Sequence, residues 1–382
     1  MKIQFITLLV TSSMLLSSCK NSEHIAPGLI YQVNLERDIN NISSIPLSYL
    51  SSKLEYIPLE TDSACLIRRI SDISVSDSFL FVSDYNRLLL FNWDGKFIRQ
   101  IGSSGRGPGE YLRVRDFDID VDNEEVYILE GRKVLVYNFN GLFRRDFVLG
   151  FPSYEFVINE NNDLVFLPIN FAQATDEQEY SLYIMNKNGK NITKIPKILK
   201  RINGGIAIPN SPLYMYTDIL HFMEFGVDTL YSYENHVKKP HAILDAGSLK
   251  FPPDPMLDEV MKLNGKVWVD NILETNKSLF IKAYSSLASL TPTYRVFDKS
   301  TSIITILKDN GFINDIDGGI SFWPERIVDS DMMIGFADAF DIIRQYKNRD
   351  MDNLKLRSNQ LEDVIKNLTE TSNPVIIILY PK

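Results

Sequence analysis

Short apolar runs bounded by Gly, Asn, Asp and Ser recur along the chain, as in Ile70–Val75, Phe79–Val82, Phe117–Ile119 and Val126–Leu129. Their brevity and β-branched, aromatic content predict strands rather than helices. One hairpin pattern repeats: Phe91-Asn92-Trp93-Asp94-Gly95, Tyr137-Asn138-Phe139-Asn140-Gly141 and Met185-Asn186-Lys187-Asn188-Gly189. Weaker copies stand at Tyr231–Asn235 and Val296–Ser300. Asp-Gly and Asn-Gly between apolar flanks predict two-residue hairpin turns, in which both central positions need positive φ. With two strands ahead of each hairpin, the unit holds four strands, the content of a propeller blade. A four-stranded sheet cannot bury both faces alone, so such units must stack radially and close into a ring.

A sixth unit begins at Ile320–Val328 and Met332–Phe336 and is interrupted by a polar segment, Asp338–Leu368. There Leu354, Leu356, Leu361, Ile365 and Leu368 suit an amphipathic surface helix. That unit lacks its last two strands, while Leu54–Leu59 and Val375–Tyr380 are strand-like runs without a blade. Both are expected to pair into blade six, closing the ring and removing its edges. The predicted fold is all-β, a six-bladed β-propeller over residues 46–382 with a helical insertion near the C-terminus.

The N-terminus follows a different pattern. Met1-Lys2, an apolar stretch to Leu16, then Ser17-Ser18-Cys19 read as a signal peptide over residues 1–18. The stretch is shorter than the roughly 20 residues of a membrane span. Leu16-Ser17-Ser18-Cys19 resembles the bacterial lipobox, which implies lipidation at Cys19, a lipidated tether over 19–45 and attachment to a membrane through that lipid. Acyl chains contribute about 0.8 kcal/mol per buried methylene, enough in combination to hold a protein without a helix. Lys20-Asn21 after the cysteine give no Asp-type retention signal, which by the same resemblance points to the outer membrane. With Cys19 consumed, Cys65 is the only other cysteine, so no internal disulfide is expected, and its neighbours Ala64, Leu66 and Ile67 favour an inert buried thiol.

A net charge of -9 and a pI near 5.1 exclude the concentrated basic surface that nucleic acid demands. The four histidines, His24, His221, His236 and His241, show no metal-binding spacing, and no G-x-S-x-G elbow is present. The run Gly102–Gly109 lacks the Lys and Ser/Thr of a phosphate loop and reads as a tight connection between blades one and two. Its Arg106, Glu110 and Tyr111 are candidates for a ligand-facing rim. Asp315 and Asp317 before Gly318-Gly319 lack the spacing of a calcium loop and read as a turn, with Asp317 a further rim candidate. Trp323 in Phe322-Trp323-Pro324 is either core or an aromatic platform for a sugar or peptide.

The segment Gly102–Tyr111 followed by Asp116-Phe117 resembles the six-bladed β-propeller lipoproteins of gut-type Gram-negative anaerobes, related in appearance to NHL-repeat propellers. So do Glu55–Glu60, Asp315–Gly319 and Asn373-Pro374-Val375. The resemblance implies a fold and an address in the cell envelope, and carries over no catalytic residue. The expected function is a non-catalytic scaffold binding a glycan, a peptide or a partner protein, without a cofactor or bound metal. The competing expectation is a lactonase- or lyase-type enzyme with channel carboxylates around a divalent cation.

Overall fold

The structure, a computed structural model, describes residues 30–38, 40–168, 179–190, 192–199, 211–252, 263–285, 291–328, 331–347 and 359–382. The signal peptide and Cys19 therefore lie outside the described residues, as do Leu354 and Leu356 of the expected helix.

Six sheets form the ring. Blade one contains Asp72–Val75, Phe79–Ser83, Leu88–Asn92 and Phe97–Ile101, and blade two Asp116–Asp120, Glu125–Glu130, Lys133–Asn138 and Phe143–Val148. Blade three contains Ser153–Ile158, Leu164–Pro168, Tyr180–Met185 and Thr193–Pro196. Blade four runs from Leu213–Tyr216 to Val237–Asp245 and blade five from Trp268–Glu274 to Ile303–Leu307. The innermost strands touch in sequence, and that of blade six, Arg326–Val328, meets both Trp268–Glu274 and Asp72–Val75, so the ring is closed.

Position within a blade explains the hydrophobic pattern. The second and third strands are covered on both faces by neighbouring blades, and Leu88–Phe91, Val126–Leu129 and Val134–Tyr137 are buried at consecutive positions. The outer strand of blade two faces solvent, leaving Phe143 and Val148 exposed. Continuous apolar runs are thus inner strands, and mixed runs are rim strands.

The turns differ from the two-residue geometry expected of Asp-Gly and Asn-Gly. Only the glycine takes positive φ, at 75° for Gly95, 77° for Gly141 and 72° for Gly189. Each loop closes as a turn from Asn92, Asn138 or Asn186 to the glycine, followed by a bulge. The leading asparagine holds it: Asn92 Oδ1 accepts from the backbone N–H groups of Asp94 (3.0 Å) and Lys96 (2.9 Å), and Asn186 does the same for Asn188 and Lys190. The two-residue geometry occurs instead in blade four, where Asn235 and His236 both have positive φ and Glu234 pairs with Val237.

Both chain ends complete blade six. Val375–Tyr380 pairs antiparallel with Met332–Ala337 on one side and with Lys53–Pro58 on the other. Beside this join, Asn373 is wholly buried: its Nδ2 donates to the carbonyls of Glu60 (2.6 Å) and Cys65 (2.9 Å), and its Oδ1 accepts from Ile67 N–H (2.7 Å). Cys65 is a free buried thiol, and burial pushes its pKa up. Upstream, Tyr31–Asn34 and Ile42–Ser43, within the segment read as a tether, run parallel to the outer strands of blades four and five as fifth strands. The insertion in blade six carries helices α1 (Ala339–Lys347) and α2 (Asn359–Asn367), with Ile342, Ile343 and Leu361 buried.

Candidate functional site

The antiparallel blades send all six innermost strands into the channel from the same face of the ring. The long connections 102–115, 197–212, 246–267, 308–325 and 338–374 leave and re-enter on that face, while the opposite face carries tight turns such as 76–78, 217–218 and 235–236. The first residues of the innermost strands therefore surround the channel mouth on the elaborated side.

Those positions are charged. Asp72, Asp116 and Arg326 each open their strand, and Glu155 and Asp270 follow two residues into theirs. In blades three and five the ladder skips one residue, Tyr154 and Asp270 respectively, so two bulges sit at the mouth. Bulges re-aim side chains and recur beside functional sites. The Arg326 guanidinium lies among three aspartates, donating to Asp118 Oδ1 (3.0 Å) and standing 4.0 Å from Asp72 Oδ1.

Asp116 and Asp118 have an architectural role. Asp116 Oδ2 accepts from Phe156 N–H (2.7 Å) and Asp118 Oδ2 from Ile158 N–H (2.9 Å), so blade two satisfies unpaired amides on the channel edge of blade three. Burial pushes Asp72 up to about 6 against the opposing field of Arg326. It also raises Asp116, reinforced by Asp72, and Glu155, reinforced by Asp116, Asp270 and Asp72. Glu325 is raised by burial against Lys282, whose ammonium lies 3.8 Å from Asp270. The mouth thus combines carboxyls whose ionisation is opposed by burial and by one another with the cations of Arg326 and Lys282, and so offers both donors and acceptors.

An aromatic group adjoins these acids. The Arg115 guanidinium stacks on the Tyr154 ring at 3.6 Å and donates to Tyr85 Oη (3.2 Å), which also accepts from Arg113 (3.4 Å). Burial alone would raise the Tyr85 pKa, but the two arginines outweigh it and lower it. Tyr85 has φ 72°, uncommon for an aromatic residue and held here by Val114 N–H on its carbonyl (2.8 Å).

The rim residues chosen from sequence are scattered. Arg106 is exposed, while Glu110 Oε2 accepts from Gly107 N–H (2.8 Å) and ties its loop to itself. Tyr111 is fully buried, its hydroxyl donating to Ile101 O (2.7 Å). Asp317 is buried and accepts from Gly319 N–H (2.8 Å) and Tyr56 Oη (3.1 Å). Trp323 is half-buried against Tyr294, with ring centroids 4.7 Å apart. Asp315 accepts from Ser48 N–H and Oγ, so that turn anchors the chain ahead of blade six.

Sequence reading passed over the mouth residues. Their signal is an acidic or basic residue at the start of successive innermost strands, visible once blades are aligned on those strands rather than on the hairpins. Among the described residues, the set of three metal-ligating groups with converging donors is His221, His241 and Glu274, not the mouth acids.

One solved structure shares the fold over nearly the whole chain. A crystal structure of a Bacteroides fragilis protein, provisionally described as exported, superposes with a TM-score of 0.69 at 18% identity, covering 93% of this chain and 100% of that one. The extracellular domain of a Bacteroides thetaiotaomicron protein, provisionally described as a one-component system, gives 0.42 at 13% identity, covering 74% and 32%. No curated protein matches the chain. Residues 30–380 match the family described as a domain of unknown function, DUF4934, and with the closed six-bladed ring over the same span the chain belongs to that family.

Proposed function

We propose that this is an exported, lipid-anchored propeller that binds a polar, near-neutral ligand, a glycan or a peptide, at the elaborated mouth of its channel without transforming it. The observation that carries the reading is the convergence of Asp72, Glu155, Asp270 and Arg326, from four blades, on one opening beside the Arg115–Tyr154 stack. Carboxyls with raised pKa both donate and accept hydrogen bonds, and an aromatic face suits a sugar ring or peptide side chain. The N-terminal lipobox-like segment supports attachment through lipid on Cys19, and Lys20-Asn21 supports the outer membrane.

Binding of soluble polysaccharides and a peptide panel to the full chain in detergent, compared with Tyr154→Ala and Asp270→Asn, tests the site. A binder weakened at least tenfold by both changes, with melting unchanged, is the expected result. A binder indifferent to both would remove the mouth from consideration. Mass analysis of the N-terminal peptide tests the anchor: an unmodified thiol at Cys19 contradicts it.

The enzymatic alternative draws on the same acids and on the arginine-polarised Tyr85. It requires donors converging on a cation, whereas Asp116 and Asp118 are committed to backbone amides and Arg326. Calcium-dependent cleavage of a bound polysaccharide, abolished by Glu155→Gln, would favour it.

A further inference from the structure

We infer that His221, His241 and Glu274 form a transition-metal site of the kind zinc occupies, clamped between blades four and five and separate from the channel mouth. His221 and His241 lie on the second and fourth strands of blade four, and Glu274 ends the innermost strand of blade five. One donor atom from each lies within 4.8 Å of the others. Two imidazoles and a carboxylate are a zinc donor set, and tetrahedral zinc spaces its donors by about 3.4 Å, so side-chain shifts of about 1 Å complete the geometry.

The state of His221 points the same way. Its Nδ1 lies 3.0 Å from the carbonyl oxygen of Ile219, which fixes the proton on Nδ1 and leaves the lone pair on Nε2. The residue is 2% exposed, and its ring stacks on Tyr214 with centroids 5.2 Å apart, which fixes the plane in which Nε2 is presented. A carbonyl behind one ring nitrogen is also how ligating histidines are oriented.

Lys299 is the competitor. Its Nζ donates to Glu274 Oε1 (2.6 Å) and to Thr275 O (2.5 Å), and so holds the position of a cation. It projects from the turn after Pro292–Asp298, whereas the three ligands stand on strands. Metal binding displaces the ammonium, and His241 Nε2, 2.8 Å from Glu274 Oε1, gives up that contact for the ion.

Zinc titration of the full chain by calorimetry, with cobalt(II) absorption as a ligand-field readout, tests the site. One zinc per chain is expected, with visible cobalt bands of tetrahedral type. His241→Ala, at a half-buried position, should weaken binding at least tenfold and remove the bands, and Lys299→Met should tighten it about tenfold. Absence of stoichiometric binding in the wild type overturns the site, even if Lys299→Met binds, because lysine is then the native occupant. Binding unaffected by His241→Ala overturns it as well.

Discussion

Replacing Asn373 by alanine probes the join between the two chain ends. The side chain makes three short hydrogen bonds, from Nδ2 to the carbonyls of Glu60 and Cys65 and to Oδ1 from Ile67 N–H, at a fully buried position. Removing the side chain leaves three backbone groups buried without this partner, and each such group costs about 1–3 kcal/mol, in place of the roughly 1 kcal/mol net of an intact bond. With some relaxation the loss should total about 3–5 kcal/mol, a large share of the 5–15 kcal/mol typical of a folded protein. Asn373→Asp should be at least as damaging near neutral pH, because it sets a carboxylate against two carbonyl oxygens. Urea unfolding followed by tryptophan fluorescence and circular dichroism measures the effect. A loss below about 1 kcal/mol for alanine, or an aspartate variant as stable as the wild type, would refute the role given to this residue.

Other consequences follow from the channel and the connections around it. Asp72 is pushed up to about 6 in the folded state, so folded protein takes up its proton more readily than unfolded chain. Its ionisation therefore destabilises the fold as pH rises from about 4 to 6, and Asp72→Asn should stabilise at pH 7 with the gain disappearing below pH 4, read from urea midpoints across that range. Arg326→Met leaves Asp118 without its cation and should cost about 1–3 kcal/mol, a loss that Asp118→Asn in the same chain partly restores in a double-mutant cycle. Tyr111→Phe removes a buried hydroxyl that serves Ile101 O, so it should lower stability by about 1–2 kcal/mol in thermal unfolding and leave ligand binding unchanged.

The architecture was legible because burial leaves a strong mark on these blades. Strands covered on both faces, such as Leu88–Asn92 and Lys133–Asn138, become continuous apolar runs, and Asn92, Asn138 and Asn186 punctuate them at the same place in successive units. Turn geometry was less legible. Asp-Gly and Asn-Gly permit two-residue turns, yet the asparagine two or three residues earlier captures backbone amides and selects the longer loop with a bulge. The strand roles of Tyr31–Asn34 and Ile42–Ser43 were hidden, because parallel addition to a finished blade needs little apolar content beyond Tyr31 and Val33.

The site was harder still to read. Glycine-rich Gly102–Gly109 and the Asp315–Gly319 turn attracted attention through composition, but Glu110, Tyr111 and Asp317 direct their polar atoms into their own loops or the core. The mouth residues are single charges at strand starts, and only the closed ring brings Asp72 near Arg326, some 250 residues later in the chain. His221, His241 and Glu274 likewise have no motif spacing; blade stacking creates their proximity.

The ring is shut by strands from both parts of the chain, Lys53–Pro58 and Val375–Tyr380, and everything at the channel mouth is assembled by that closure. Lys53 and Tyr380 are register partners at the start and end of that pairing, close enough for a disulfide between cysteines placed there. In a chain with Cys19 replaced and Cys65 left in its buried site, Lys53→Cys with Tyr380→Cys should oxidise completely. Proteolysis followed by mass spectrometry should recover one linked peptide pair containing residues 53 and 380. Two free thiols at those positions after oxidation of the folded protein would contradict the closed ring.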